Sequence, residues 1–142
     1  MDTRPMAKDD LESSIYLKLI TAERTIRSNF AGTGQTRKRS PTITKVLAEE
    51  LVSRLSVNYT FTKGGCVITK PELVEFIYTR LWAVPDDIAK ASGQRNTDIS
   101  HSAAKAIAHG LYLALELEYV RSYESQDFLD PSSPRYINRQ RG

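Results

Sequence analysis

Leu11, Ile15, Leu19, Ala22, Ile26 and Phe30 recur at steps of three and four residues. That period is one face of a helix and predicts a helix from about Asp9 to Ser28. Asp9 or Asp10 is placed to cap it, because a carboxylate accepts from the free N–H groups of a first turn. Ala31-Gly32-Thr33-Gly34 then ends it. Ser40-Pro41 reads as a cap followed by proline at the first helical position, where no N–H is missed. Ile43, Val46, Leu47, Leu51 and Leu55 form a second stripe, predicting a helix over about 41–55 with Lys45, Glu49 and Arg54 on its outer face.

The period changes at "VNYTFTKGGCVIT", Val57 to Thr69. β-branched and aromatic residues flank Lys63-Gly64-Gly65, and glycines supply the positive φ angles of a tight hairpin. Two short strands are expected, at about 58–62 and 66–69, with Cys66 as a small core residue in the second. Thr69-Lys70-Pro71-Glu72 matches the Ser/Thr-x-x-Glu capping box. Leu73, Phe76, Ile77, Leu81 and Val84 predict a helix over about 70–83, stopped near Pro85. Trp82 is expected to pack in a core or an interface. A short helix over about 85–92 follows, with Gly93 as its stop. Thr97 caps a long last helix, about 98–123, whose stripe is Ile99, Ala103, Ala106, Ile107, Gly110, Ala114 and Leu117. Its small residues predict a central helix with a tight contact at Gly110, since glycine costs about 1 kcal/mol there against alanine. Tyr112, Tyr119 and Tyr123 fall on a common side of it and read as packing or a protein interface ahead of a base-stacking platform.

The fold class is therefore mainly α: four to five helices with one short β-hairpin, a winged-helix-like arrangement being one form of it. Residues 1–127 read as a single helical domain with a flexible basic loop at 31–40. Residues 128–142 have prolines, serines and arginines without a helical stripe and read as a mobile basic tail.

At 142 residues the chain can bury a core without a metal or a disulfide. Its one cysteine cannot form an internal disulfide, which fits a reducing compartment. The opening "MDTRPMAKDDLESS" lacks an apolar centre and is not expected to act as a secretion signal. No run approaches the ~20 apolar residues of a membrane span. The expected location is the cell interior, cytoplasm or nucleoid, or a host cell if the protein is viral. Net charge is +3, and its division is more telling than its size. Residues 31–70 carry seven basic and two acidic groups, whereas 71–127 carry five basic and nine acidic. Cation concentrated in one central segment points to a polyanionic partner. Packing of the basic segment on the acidic one is the competing explanation.

Enzyme chemistry finds little support. There is no Gly-x-Ser-x-Gly, no His-Glu-x-x-His and no paired-cysteine metal site. His101 and His109 lie eight residues apart on one helix, about 12 Å, too far to share a metal ion. No catalytic residue, metal site or cofactor is expected. "GTGQTRKRS" superficially resembles a phosphate loop, but a helix precedes it and no Gly-Lys pair is present, so triphosphate binding is rejected. What remains is Arg37-Lys38-Arg39, three cations that neutralise phosphates without demanding geometry. They sit just before a helix start, where free N–H groups also favour anions.

Asp87 to Ile107, "DIAKASGQRNTDISHSAAKAI", resembles the helix-turn-helix signature of DNA-binding regulators. Ile88 and Ala89 match its apolar-alanine start, Gly93 its turn glycine, and Ile99 the buried residue six positions later. The resemblance implies that Gln94, Arg95, Asn96, Asp98, Ser100 and His101 open a recognition helix. The sequence departs from the pattern at Gln94, usually apolar, and at Ser102, usually a buried aliphatic. The helix-then-hairpin order also resembles winged helices. That resemblance implies helix 41–55 as the reader and "TKGG" as the wing tip, and it fits the charge division better. The segments "LAEELVSRL" and "VITKPELVEFIYTRLWAVPDDIAKA" resemble the later helices of the ATP-cone, but its signature strand pair is absent and nucleotide binding is not carried over.

These readings converge on a nucleic-acid-binding protein, a small DNA-binding regulator or a replication or packaging accessory factor, phage- or plasmid-like. Its expected contacts are Arg37, Lys38, Arg39, Lys45, Lys63 and Arg95. DNA stands ahead of RNA as partner, a homo-oligomer is expected, and no membrane is involved. The alternative is a structural or interaction protein, an assembly subunit or inhibitor acting through protein contacts.

Overall fold

The structure, a computed structural model, describes residues 10–124. It is mainly helical, with six helices and a small antiparallel sheet: α1 (Leu11–Thr21), α2 (Arg24–Ala31), α3 (Pro41–Leu55), β1 (Tyr59–Lys63), β2 (Cys66–Val67), α4 (Lys70–Trp82), α5 (Asp86–Ser92), α6 (Thr97–Glu118) and β3 (Val120–Tyr123). The basic tail at 128–142 lies outside the described residues. No helix among the described residues is long and apolar enough to cross a membrane.

The caps form where the side chains can reach free N–H groups. Asp10 accepts from the Ser13 N–H at 3.1 Å and starts α1. Ser40 accepts from the Ile43 N–H at 3.1 Å, and Pro41 opens α3. Thr69 and Glu72 close the capping box of α4, each accepting from the other's backbone N–H at 3.3 Å. At α6 the cap is Asn96 rather than Thr97: its side-chain oxygen takes the N–H groups of Asp98 (2.9 Å) and Ile99 (3.2 Å).

The first predicted helix is two. Ala22 and Glu23 both take extended backbone, and the chain turns before α2 begins. The turn keeps Leu11, Ile15 and Leu19 of α1 in the core while α2 inserts Ile26 and Phe30 against α3 and α5. No glycine or proline marks this break, so periodicity alone runs through it. α2 ends at Gly32, which takes φ 81° and closes the helix by donating its N–H to the Ser28 carbonyl at 2.9 Å. A side chain rarely adopts that conformation, and glycine does so without strain.

α3 is a central helix. It lies among α1, α2 and α4 and buries Leu47, Ala48, Leu51, Val52 and Leu55. α6 lies along α1 and α5. Its buried face is Ser100, Ala103, Ala104, Ile107, Ala108, Leu111, Ala114 and Leu115. That face is rotated from the expected stripe, leaving Ile99 and Leu117 in solvent at 48% and 90% exposure. Gly110 faces open space, with nothing near a Cβ built on it, so the expected tight contact there is absent. The tight contact is at Gly93, where an added Cβ would lie 2.5 Å from the Ala31 Cβ and 2.7 Å from the Thr33 hydroxyl.

The hairpin is as expected in kind: Gly64 and Gly65, at φ 61° and 82°, turn β1 into β2, with Thr62 opposite Val67 and Lys63 opposite Cys66. Cys66 is exposed, not a core residue, because the sheet presents this edge to water. The helix expected to reach 123 stops at Glu118, and Val120–Tyr123 becomes a third strand on the other side of β1, in the order β2-β1-β3. Tyr59 then stands opposite Tyr123 and Phe61 opposite Arg121. Aromatic packing holds this pairing: Tyr59–Tyr123 ring centroids are 5.2 Å apart, and Tyr119 meets Phe61 at 6.1 Å and Phe76 at 5.2 Å. The three tyrosines therefore pack, but from a helix, a turn and a strand. Burial pushes the Tyr119 phenol above its ordinary range, with Glu118 adding to the effect.

Two glycine substitutions separate these roles. Gly110→Ala is expected to stabilise the protein by about 1 kcal/mol, since it adds helix propensity at an open position. Gly93→Ala is expected to destabilise it by roughly 1–3 kcal/mol through overpacking. Thermal unfolding followed by circular dichroism checks both signs.

Candidate nucleic-acid interface

The loop from Gly32 to Ser40 makes backbone hydrogen bonds within itself and to the end of α2. The Thr33 N–H donates to Ser28 O at 3.0 Å, the Arg37 N–H to Gly34 O at 3.0 Å, and the Ser40 N–H to Asn29 O at 2.9 Å. Arg37 takes φ 59°, the left-handed region that costs a non-glycine residue roughly 1 kcal/mol or more.

The three adjacent cations divide here. Arg39 turns inward, and its side chain is only 10% exposed. Its Nε donates to Phe30 O at 3.0 Å, one Nη to Leu81 O at 2.9 Å, and the other to Val84 O at 2.7 Å and to the Asp86 carboxylate at 3.1 Å. Its plane lies over the Phe30 ring and the Trp82 ring, each 5.0 Å from the centroid. Four of its five N–H groups are engaged by protein, so Arg39 leaves the phosphate grip the sequence suggested. The physical reason is satisfaction of helix ends: Phe30, Leu81 and Val84 offer carbonyls left over where α2 and α4 stop.

Lys45 and Lys63 are also committed. Lys45 bonds the Glu75 carboxylate and lies 5.9 Å from the Tyr78 ring centroid; Lys63 bonds Glu118. Each carboxylate raises its lysine above 10.5, chiefly by hydrogen bonding. A raised cation contributes its pairing below that value and loses it as pH rises through the higher folded one. Lys63 is also remote. It meets the last residue of α6, whereas Arg95 lies just before the first, and a helix of 22 residues spans about 33 Å.

Arg37, Lys38 and Arg95 are exposed, and no ion pair or hydrogen bond engages their side chains among the described residues. The Gly93 contact brings their segments together. Ala31 and Thr33 seat on Gly93, which sets the loop against the turn that carries Arg95. Arg27 joins the same end by donating to the buried Ser100 hydroxyl at 3.2 Å, in the second turn of α6. Nothing in the sequence pattern marks Arg27; only its neighbourhood in space makes it part of this end.

α5 and α6 pack on each other across the turn that begins at Gly93, yet several proposed reading residues are occupied. Asn96 spends its side-chain oxygen on the cap, Ser100 is buried, and Ile99, expected inside, is outside. Arg95, Asp98 and His101 remain, His101 edge-on to Tyr16. The winged alternative meets a different obstacle. α3 is packed on three helices, and its outer face pairs Lys45 with Glu75 and Glu50 with Lys18, giving no basic surface.

No protein-family model, curated protein or solved structure matches the chain. Among the described residues no three His, Cys, Asp or Glu side chains are grouped to share a metal ion. A cavity of about 20 Å³ between Arg27, Phe30, Ser92 and Ile107 has room for one water molecule.

Arg39→Ala is expected to lower stability by about 3 kcal/mol, because several charge-assisted bonds are lost together. Arg39→Lys recovers less than half of that, since a point charge cannot reproduce the planar fork. Urea unfolding of the three proteins measures it.

Proposed function

We propose that this protein binds nucleic acid through phosphate contacts at the end of the molecule formed by the loop 32–40 and the α5–α6 turn. The observation that carries the reading is the juxtaposition of two cationic segments. Lys18, Lys45 and Lys63 sit against carboxylates, while the Ala31 and Thr33 contact with Gly93 sets the loop of Arg37 and Lys38 beside the turn of Arg95, and these three exposed side chains make no ion pair among the described residues. Such charges are available to displace counterions from a phosphate backbone. Arg37 keeps a strained backbone at this place, consistent with a requirement for its side chain. The grip addresses the backbone rather than base edges, since Asn96 and Ser100 are used within the fold. The role that fits is an accessory or packaging factor, or a regulator whose specificity comes from elsewhere.

A second reading has its own observation. The outer face of the sheet holds Thr60, Thr62, Val67, Val120 and Ser122, all uncharged, with Val67 64% and Val120 72% exposed. A charge-free β-branched face suits protein contact, including a second copy of this chain, because like charges do not meet across a two-fold axis. If it is used, Val120→Lys shifts a concentration-dependent dimer to monomer in sedimentation equilibrium without changing the circular dichroism spectrum.

The main reading is tested by fluorescence anisotropy with labelled duplex DNA, single-stranded DNA and RNA across a salt series. Wild type is expected to bind with a steep salt dependence. Arg37→Ala/Lys38→Ala/Arg95→Ala is expected to reduce the log–log slope by roughly 2–3, near 0.9 per phosphate contact on duplex DNA. Lys45→Ala leaves the slope unchanged. Equal binding by the triple variant, or none by wild type at low salt, sinks the proposal.

A further inference from the structure

Trp82 is the chain's only tryptophan, and it is 40% exposed. A tryptophan kept for packing hides most of its rings, so this exposure is itself informative. The indole stands at the last residue of α4. Arg39 lies across the ring at 5.0 Å, and the carbonyls of Phe30, Leu81 and Val84 hold that guanidinium in place. The ring is thus backed by a fixed, flat cation while much of its surface meets water. Arg39 follows Lys38 directly, so the indole sits at the foot of the loop that presents Arg37 and Lys38. Asp86 and Asp87, in the first turn of α5, are the acidic neighbours of this place, and the Asp86 carboxylate is engaged by Arg39 at 3.1 Å. Arg80, exposed one residue-pair earlier on α4, has its guanidinium 5.3 Å from the Phe76 ring centroid.

We propose that Trp82 is a stacking platform for an unpaired nucleobase, which makes single-stranded nucleic acid the ligand class of the basic end. The inference rests on the phosphate-binding reading above. Cations that track a backbone beside an aromatic ring that takes a base are the two parts of a single-strand site. A base inside a duplex has both faces covered by its neighbours and cannot use the platform. Every base has a π-face, so the platform discriminates strandedness and not sequence.

The test titrates the full chain with three labelled ligands of equal length: oligothymidine, the corresponding abasic phosphodiester strand, and a duplex. Anisotropy reports binding, and the emission of Trp82 reports stacking without any substitution. Oligothymidine is expected to quench the emission and to bind roughly ten-fold or more tightly than the abasic strand. Trp82→Phe retains that preference in anisotropy, and Trp82→Leu abolishes it. Equal affinity for oligothymidine and abasic strand with unchanged emission overturns the stacking role and leaves the phosphate grip standing. Equal quenching by the duplex also overturns it. Failure of all three ligands to bind at low salt overturns both readings together.

Discussion

One guanidinium holds four helices in register. Arg39 reaches the carbonyl ends of α2 and α4 and the first residue of α5, and its own backbone leads into the cap of α3. Helix C-termini carry partial negative charge and unsatisfied carbonyls, and bringing two of them together would repel without a cation between them. The planar fork answers several of these groups at once, and the Phe30 and Trp82 rings both lie against it. Buried charge is costly to leave unpaired, so this arrangement is nearly all-or-none. It also ties the end of the loop to α2, α4 and α5, since Lys38 and Arg37 directly precede it in the chain.

Local signals in the sequence mapped well onto local structure. Thr69 with Glu72, Ser40 with Pro41, and Gly64 with Gly65 each encode an event within a few residues, and each occurs where the residues stand. The misreadings are nonlocal. Nothing in "YVRSY" says that the helix must stop at Glu118; Tyr59 and Phe61, some sixty positions earlier, supply the reason by offering a strand to pair with. Gly93 and Gly110 could not be ranked, because what matters is whether Ala31 and Thr33 stand opposite.

The candidate site was legible in the same uneven way. Arg37, Lys38 and Arg39 are equivalent as charges, and burial tells them apart only when the carbonyls of α2 and α4 are placed. Lys45 and Lys63 counted toward a basic segment by arithmetic along the chain, but Glu75 and Glu118 approach them across helix and sheet. Arg95 entered through a resemblance whose register did not hold at Ile99, and its place at the basic end comes from the Gly93 contact instead.

The sheet order β2-β1-β3 has a consequence for how the chain assembles. β1 and β2 meet across a two-residue turn and can pair within microseconds. The partner on β1's other side arrives only after α4, α5 and α6 have been laid down. Closing so long a loop is entropically unfavourable until the intervening helices have shortened it. The helices and hairpin therefore form ahead of the last strand, and an emerging chain exposes Tyr59 and Phe61 until Tyr119 and Tyr123 arrive to cover them.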